Sequence, residues 1–414
     1  MSGAKNTVSH GPLKDLRVLD LSRVLAGPWA GQLLADYGAT CIKVERPGTG
    51  DDTRQWGPPW LADTGQQARA DSAYFQAANR NKRSLTVNLA HPQGQEIIRA
   101  LAATSDVLIE NFRVGTLQRF GLDYASLQAL NPRLIYCSIT AYGQTSSRAA
   151  QPGYDAMMQA SSGLMSVTGP PDSEGGGPQK VGVAISDIMT GMYAVTAILA
   201  AVAARAADGK GQYIDLALYD SQVAWLANQN MNYLIGGCVP ERQGTAHPNI
   251  VPYQVFATAN GHLMLAVGTD IQFRACVAAL GQPELATDRR FSSNAARVAH
   301  RQELIEKLAE RFRASGTGHW LQVLESAGVP AGPINNVAEV LSDAYATERQ
   351  LVRQVPHAVA GEVATVANPV RFSETPVEYR TAPPTLGQHT AEILAEELQY
   401  SPGQIAALRQ DGAI

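Results

Sequence analysis

One carboxylate stands alone in a segment of apolar and small residues. The stretch "QPGYDAMMQASSGLM", residues 151–165, holds Asp155 between a Pro-Gly-Tyr turn and a run of Met, Ala, Ser and Gly. Read by itself, Asp155 is a helix N-cap: its oxygen accepts from an early backbone N–H, and its charge suits the positive end of the helix dipole. A second set of residues offers different chemistry. Arg46, Arg54, Arg80, Lys82, Arg83, Arg113 and Arg119 fall near predicted strand ends, and Ala26–Pro28 ("AGP") directly follows the first predicted strand. At the carboxyl ends of strands in an open α/β sheet, loop N–H groups and helix N-termini favour phosphate, and converging Arg and Lys suit a polyphosphorylated ligand. Spacing alone reads equally well as scattered surface charge. Other chemistries lack their motifs: there is no G-x-G-x-x-G after the first strand, no Walker loop and no G-x-S-x-G. No group of His and carboxylates has metal-ligand spacing, so no metal is expected.

The elements that must position these residues alternate. "RVLDLS" is a strand, "AGPWAGQLLADYGA" a helix and "CIKVER" a strand. Then "RSLTVNL", "DVLIEN" and "RLIYCSIT" read as strands, separated by the helix "PQGQEIIRALAATS" and the short helix "GTLQRFG". Alternation of this kind implies βαβ units and a parallel sheet, hence a large doubly wound, Rossmann-like α/β domain. A long helix over 183–206, the strand "YIDLALY" and a helix near "SQVAWLANQNMNYL" follow. Beyond about residue 228 the texture changes: "NIVPYQVFATANGHLMLAVG" reads as two strands around an Asn-Gly turn, and "DIQFRACVAALG" and "HRQELIEKLAERFRAS" as helices. This is a smaller α+β domain. We place the large domain at 1–225, completed by 335–414, and the small domain with its linkers at 226–334; which surface the C-terminal segment covers is not visible from sequence.

Bulk properties bound the rest. A chain of 414 residues exceeds one ordinary core. Its 45% hydrophobic and 17% charged residues describe a globular protein, and a net charge of −4 argues against a dedicated nucleic-acid binder. Cys41, Cys137, Cys238 and Cys276 lie far apart with no paired spacing, so they read as reduced thiols in a reducing compartment, the cytoplasm. The N-terminus has no apolar core, so no secretory leader is expected. The uncharged run 188–204 approaches membrane-span length, but Ala, Gly and Thr dominate it, and Asp187 and Arg205 bound it. It reads as a buried core helix, and no membrane partner is expected.

Five motifs, in order, carry a resemblance: "DLSRVLAGPWAGQLLADYGATCIKVERPGTGDDTR", "NRNKRSLTVNL", "SDVLIENFRVGTLQRFGLDY", "NPRLIYCSITAYGQ" and "PGYDAMMQASSGLMSVTG". Together with "VGVAISDIMTGMYA" and "AGVPAGPIN", they resemble the class III coenzyme A transferases, the family of formyl-CoA transferase and carnitine CoA-transferase, over nearly the whole chain. The resemblance implies that Asp155 is the nucleophile. It also implies that Leu25 and Ala26 form the loop over coenzyme A, and that Arg46 follows the Ile/Val-Glu of the family's Glu-Arg pair. By the same resemblance Val87, Asn88, Leu89 and Ala90 form the adenine-side segment, Asn111, Phe112 and Arg113 belong to the Glu-Asn-Phe motif, and Arg119 is a phosphate-side arginine. Ala90 and Thr140 depart from the family by standing where formyl-CoA transferase carries lysines. The racemase branch keeps a His before the matching Asp; here Tyr154 stands there, and a phenol with a pKa of about 10 is a poor base at neutral pH.

The implied activity is transfer of coenzyme A from an acyl-CoA to a carboxylic acid. Coenzyme A serves as substrate, no permanently bound cofactor is needed, and the assembly is a homodimer of two interlocked ring-like chains. A carboxylate ionised at neutral pH attacks the thioester, giving a mixed anhydride and then an aspartyl-CoA thioester. Where formyl-CoA transferase has a run of glycines in the small domain, this chain has "ERQGTAHPNIVPYQVF", residues 241–256. That stretch resembles relatives that move coenzyme A between succinate and glutarate or hydroxymethylglutarate, with Arg242 and His247 as partners for a far carboxylate. An α-methylacyl-CoA racemase-like isomerase and a catalytically silent CoA-binding protein are the alternatives.

Overall fold

The computed structural model describes residues 10–61 and 71–414. The expectation about a leader rests largely on residues 1–9, outside the described residues. Six strands form one parallel sheet: β1 (Arg17–Asp20), β2 (Thr40–Glu45), β3 (Lys82–Thr86), β4 (Val107–Glu110), β5 (Ile135–Thr140) and β6 (Tyr213–Ala217). Their order is β3-β2-β1-β4-β5-β6, with every pairing parallel. Successive side chains of a strand point to opposite faces, and here both faces are buried. Val18, Val107, Ile109 and Cys137 enter one core with the helices Ala26–Asp36 and Ile185–Asp208. Leu19, Leu108 and Tyr136 enter the other, where the helix Pro92–Thr104 meets the C-terminal helices Thr390–Leu398 and Pro402–Gln410.

The apolar run 188–204 lies inside the helix Ile185–Asp208, which is long and apolar enough to cross a membrane by length and composition alone. One face of it packs in the core through Ala194, Val195, Ile198 and Ala201, while Met192 and Tyr193 are exposed. Gly191 lets it approach the helix Ala26–Asp36: a Cβ there would stand 2.7 Å from the Ala26 carbonyl oxygen. Farther along, Arg205 is buried and paired with Asp106 at 2.8 Å. All four cysteines are free thiols, and only Cys238 is exposed.

Two compact units emerge, one of Met1–Leu164, Val181–Asn230 and Ala344–Ile414, the other of Met165–Lys180 and Met231–Asp343. The boundaries fall after residues 230 and 343, against the expected 225 and 334, and residues 165–180 belong to the second unit, not the first. Hydrogen bonds explain that placement. The Gly244 N–H donates to the Gly169 carbonyl at 3.0 Å, and Arg242 Nε donates to the Pro170 carbonyl at 3.2 Å.

The second unit carries an antiparallel sheet of β7 (Tyr253–Thr258), β8 (Gly261–Ala266) and β9 (Ala331–Pro333), in that order. Phe256, Leu263 and Leu265 pack there with Phe273, Phe312 and Trp320 from its helices. The hairpin tip differs from the expected Asn-Gly turn. Thr258 pairs with Gly261, so Ala259 and Asn260 make the tip and Gly261 begins β8. Asn260 is used for docking: its Oδ1 accepts from the Thr317 N–H at 2.8 Å. The helix expected near "SQVAWLANQNMNYL" is two helices, Leu218–Trp225 and Asn228–Gly236, broken at Ala227 with φ 46°.

Candidate active site

The sheet order reverses between β1 and β4, so the loops leaving their carboxyl ends diverge and open a crevice, the usual ligand position in an open α/β sheet. A cleft of about 200 Å³ lies there. Its walls include Leu25 and Ala26 after β1, Asn111, Phe112 and Arg113 after β4, and Tyr154 and Asp187, the first next to Asp155 in the chain and the second bonded to it through its N–H. A second cleft of about 290 Å³ is lined by Arg46 and Val87 to Ala90. Arg23 and Phe112 line both.

The loop after β1 is braced from two sides. Asn111 Oδ1 accepts from the Arg23 N–H at 2.9 Å and Asn111 Nδ2 donates to the Arg23 carbonyl at 2.7 Å, so this amide ties the two loops together. The Val24 N–H donates to both oxygens of Asp51 at 3.3 Å. That bond holds a β-branched residue at φ 71°, a left-handed backbone that costs about 1–3 kcal/mol and occurs where structure over-determines it. The next helix starts from Leu25 with no side-chain cap, leaving its first-turn N–H groups without intrahelical acceptors. Such a helix start favours an anion.

Asp155 does not cap its own helix, Asp155–Ser161, whose N-cap is Tyr154 without a side-chain bond. Its carboxylate crosses to a neighbouring helix instead. Oδ1 accepts from the Ser186 N–H at 2.8 Å and the Asp187 N–H at 3.4 Å, at the start of Ile185–Asp208. Oδ2 accepts from Gln159 Nε2 at 2.6 Å, and Gln159 Oε1 is itself fixed by the Val181 N–H at 2.8 Å. Asp187 is buried, and its carboxyl is lifted to about 7, first by burial and then by the charge of Asp155. Tyr74 faces the same pair: its phenol is pushed up to about 12 by burial, then by Asp187 and Asp155. The result is a partly exposed carboxylate held by three donors beside a buried carboxyl that titrates near neutrality.

Residues 13–390 match the family model described as CoA-transferase family III. The chain belongs to that family. It is 48% identical, over 93% of its length and 95% of the relative's, to the succinate–glutarate CoA-transferase of Agrobacterium fabrum. To the succinyl-CoA:glutarate CoA-transferase of Homo sapiens it is 44% identical, over 97% of this chain and 90% of that one. Among solved structures, a CAIB/BAIF family protein from Brucella suis superposes with a TM-score of 0.81 at 47% identity, covering 94% of this chain and 99% of that one.

Within this CoA-transferase the residues expected to meet coenzyme A divide. Leu25, Ala26, Asn111, Phe112 and Arg113 share the first cleft. Arg46, Val87, Asn88, Leu89 and Ala90 share the second, where Asn88 is partly engaged through its N–H on the Ala413 carbonyl at 2.8 Å. Arg119 lines neither cleft; its guanidinium lies 6.0 Å from the ring of Phe120, which borders the second. Four of the basic residues singled out by position are occupied. Arg54 pairs with Glu45 at 2.7 Å, Arg80 with Asp36 at 2.5 Å and Lys82 with Asp20 at 2.9 Å, all buried. Arg83 pairs with Glu392 at 2.7 Å. These build the scaffold and are not available to a phosphate.

The available cation that position alone missed is Arg23. Its guanidinium lies 5.2 Å from the Phe112 ring, its one carboxylate partner among the described residues is the half-exposed Asp52 at 3.6 Å, and its Nε is buried without a hydrogen bond. Thr140 Oγ1, in the same cleft, is likewise buried without a partner. Two unsatisfied buried polar atoms on residues that line one cleft fit a polar ligand. Gln159 was also missed, although its i, i+4 spacing from Asp155 puts both on one helix face.

In the second unit Arg242 bonds Asp172 and the Pro170 carbonyl. His247 Nδ1 accepts from the Asn249 N–H at 3.0 Å, while burial and Arg301 hold its pKa below the usual value. At neutral pH His247 is therefore uncharged, and it offers a carboxylate only a neutral Nε2–H.

Proposed function

We propose that this chain transfers coenzyme A from succinyl-CoA to a second dicarboxylic acid such as glutarate, through covalent intermediates on Asp155. The carrying observation is the carboxylate of Asp155 held by Ser186, Asp187 and Gln159 beside the cleft at the sheet's reversal point. Relatives at 44–48% identity, covered nearly end to end, are named for succinate and glutarate. The nucleotide end of coenzyme A takes the cleft between Arg46 and Val87–Ala90. Its pyrophosphate lies toward Arg23 and the N-terminus of Ala26–Asp36, and its thioester reaches Asp155.

Three donors orient the Asp155 carboxylate for attack on the thioester carbonyl. Breaking the C–S bond leaves the acyl group on Asp155 as a mixed anhydride. Return of the sulfur to the aspartyl carbonyl releases the first acid and leaves an aspartyl-CoA thioester, which the acceptor acid resolves by the same steps reversed. One thioester replaces another, so the exchange needs no external energy source. Mixing the protein with succinyl-CoA and a panel of acids tests this directly. New dicarboxylyl-CoA with matching loss of succinyl-CoA is expected; an isomerised acyl-CoA alone indicates a racemase, and binding without exchange a silent protein.

Selection of a dicarboxylate we assign to Arg242. Its side chain is 11% exposed, whereas that of its partner Asp172 is 83% exposed, so a substrate carboxylate can displace Asp172 at little cost. Arg242→Ala is expected to lower kcat/KM for dicarboxylates by about ten- to a hundredfold, the worth of a charge-assisted hydrogen bond, and to spare monocarboxylates. Equal losses for both classes would leave Arg242 only the task of holding residues 170–172. The family's interlocked homodimer is proposed here too; a folded monomer at nanomolar concentration in mass photometry would rule it out.

A further inference from the structure

The exchange has a proton problem that Asp155 alone does not solve. Attack by Asp155 moves its negative charge onto the departing sulfur, which leaves as a thiolate unless a neighbouring acid protonates it. Two carboxyl groups stand together here, and they are treated differently. Asp155 receives three donors, from Ser186, Asp187 and Gln159. Asp187, two residues into the long helix, gives its N–H to Asp155, buries its carboxyl and lines the cleft. Burial, and then the neighbouring Asp155 charge, favour the protonated form of Asp187.

We propose that Asp187 is the proton carrier of the exchange, protonating the departing sulfur of coenzyme A and recovering that proton when the sulfur returns. This rests on the reading of Asp155 as nucleophile. In the first step an Asp155 oxygen bonds the acyl carbon, the C–S bond breaks with its electron pair on sulfur, and the Asp187 proton moves to that sulfur. Mixed anhydride, coenzyme A thiol and Asp187 carboxylate result, with one negative charge before and after. In the second step the Asp187 carboxylate takes the thiol proton as sulfur attacks the aspartyl carbonyl. The acid then leaves as its carboxylate, and Asp187 is again protonated.

The surroundings agree with this division. Facing Asp187 are Asp155 from the helix Asp155–Ser161 and Tyr74, whose phenol stays protonated at neutral pH. The packed helix Ala26–Asp36 has no charged residue before Asp36, which Arg80 neutralises, and Asp220 on Leu218–Trp225 is solvent-exposed. Arg23, Arg113 and Asp52 line the rest of the cleft. Burial and Asp155 lift Asp187 to about 7. Above that pH the proton is lost, so turnover falls as pH rises.

The test is the pH profile of kcat/KM from about pH 6 to about pH 9, for the wild type and Asp187→Asn, with circular dichroism and CoA binding as controls. The wild type is expected to show an alkaline limb near neutrality. Asp187→Asn keeps a neutral side chain but has no transferable proton. It should fold, bind CoA, lose about a hundredfold in rate and lose the alkaline limb, in line with removal of a general acid. A flat wild-type profile, or a variant with the wild-type rate or limb, overturns the proposal. Should Asp155→Asn remain active, the nucleophile reading itself falls. With Asp155→Asn inert and the Asp187→Asn profile unchanged, only the proton carrier is lost.

Discussion

Asp155→Asn is expected to fold, bind coenzyme A and turn over nothing. The substitution keeps an Oδ1 that can still accept from the Ser186 and Asp187 N–H groups, so the start of the long helix stays capped. The new Nδ2 faces Gln159 Nε2, donor against donor, and Gln159 cannot turn its amide without giving up the Val181 N–H. That conflict costs about 1 kcal/mol, visible as a small fall in melting temperature. An amide forms neither an anhydride nor an aspartyl thioester, so turnover should drop by about 10⁴-fold or more, as when other covalent nucleophiles are removed. Wild-type protein given acyl-CoA without acceptor should accumulate an acyl or CoA adduct. Hydroxylamine should convert it to a hydroxamate on the peptide spanning residues 151–165. An active Asp155→Asn protein, shown by mass spectrometry to be free of deamidation, would defeat the mechanism.

Both readings of Asp155 survive in altered form. A lone aspartate at a helix start does suggest a cap, and the group does cap, but the helix it serves begins 30 residues later in the chain, at Ile185. No local pattern announces that crossing. The strands were readable because each is a short apolar run between helical segments, with both faces buried, and Gly and Pro punctuate the turns. The C-terminal helices were not placed by sequence, because the core they enter, beside Ile97, Ile98 and Leu101, exists only once the sheet is formed. The basic residues teach the same lesson in reverse. Lys82 and Arg80 stand near strand ends as phosphate ligands would, yet their carboxylates lie 62 and 44 residues away, at Asp20 and Asp36. Arg23, one residue past the Ser22 turn, was not singled out by position and lines both clefts.

Lys82→Met is expected to destabilise the sheet unit severely and to loosen coenzyme A binding with it. Lys82 Nζ, fully buried, donates to Asp20 Oδ2 at 2.9 Å, the Pro28 carbonyl at 2.8 Å and Asn79 Oδ1 at 3.0 Å. Burial works against the charge on Asp20, and Lys82 with Lys43 outweighs it, holding that carboxyl below its usual range. Methionine fills much the same volume and leaves Asp20 as a buried charge short of its partner, a loss of about 3–5 kcal/mol. The pH dependence gives the sign. In the wild type the depressed Asp20 contributes stability above its unfolded pKa and loses it only as pH falls through the lower folded value. In the variant Asp20 is raised instead, so acidification relieves it, and the deficit against wild type should shrink from about pH 8 to about pH 5. Adding Asp20→Asn should recover part of the loss at the higher pH. Asp20 Oδ1 also accepts from the Ser22 N–H at 3.0 Å, at the turn that delivers Arg23 and Leu25 to the cleft. The same substitution should therefore weaken coenzyme A binding even where the protein remains folded. Thermal melts of the single and double variants at both pH values, with calorimetric CoA titration, check each step; a Lys82→Met protein as stable as wild type at the higher pH would show that the buried pair contributes nothing.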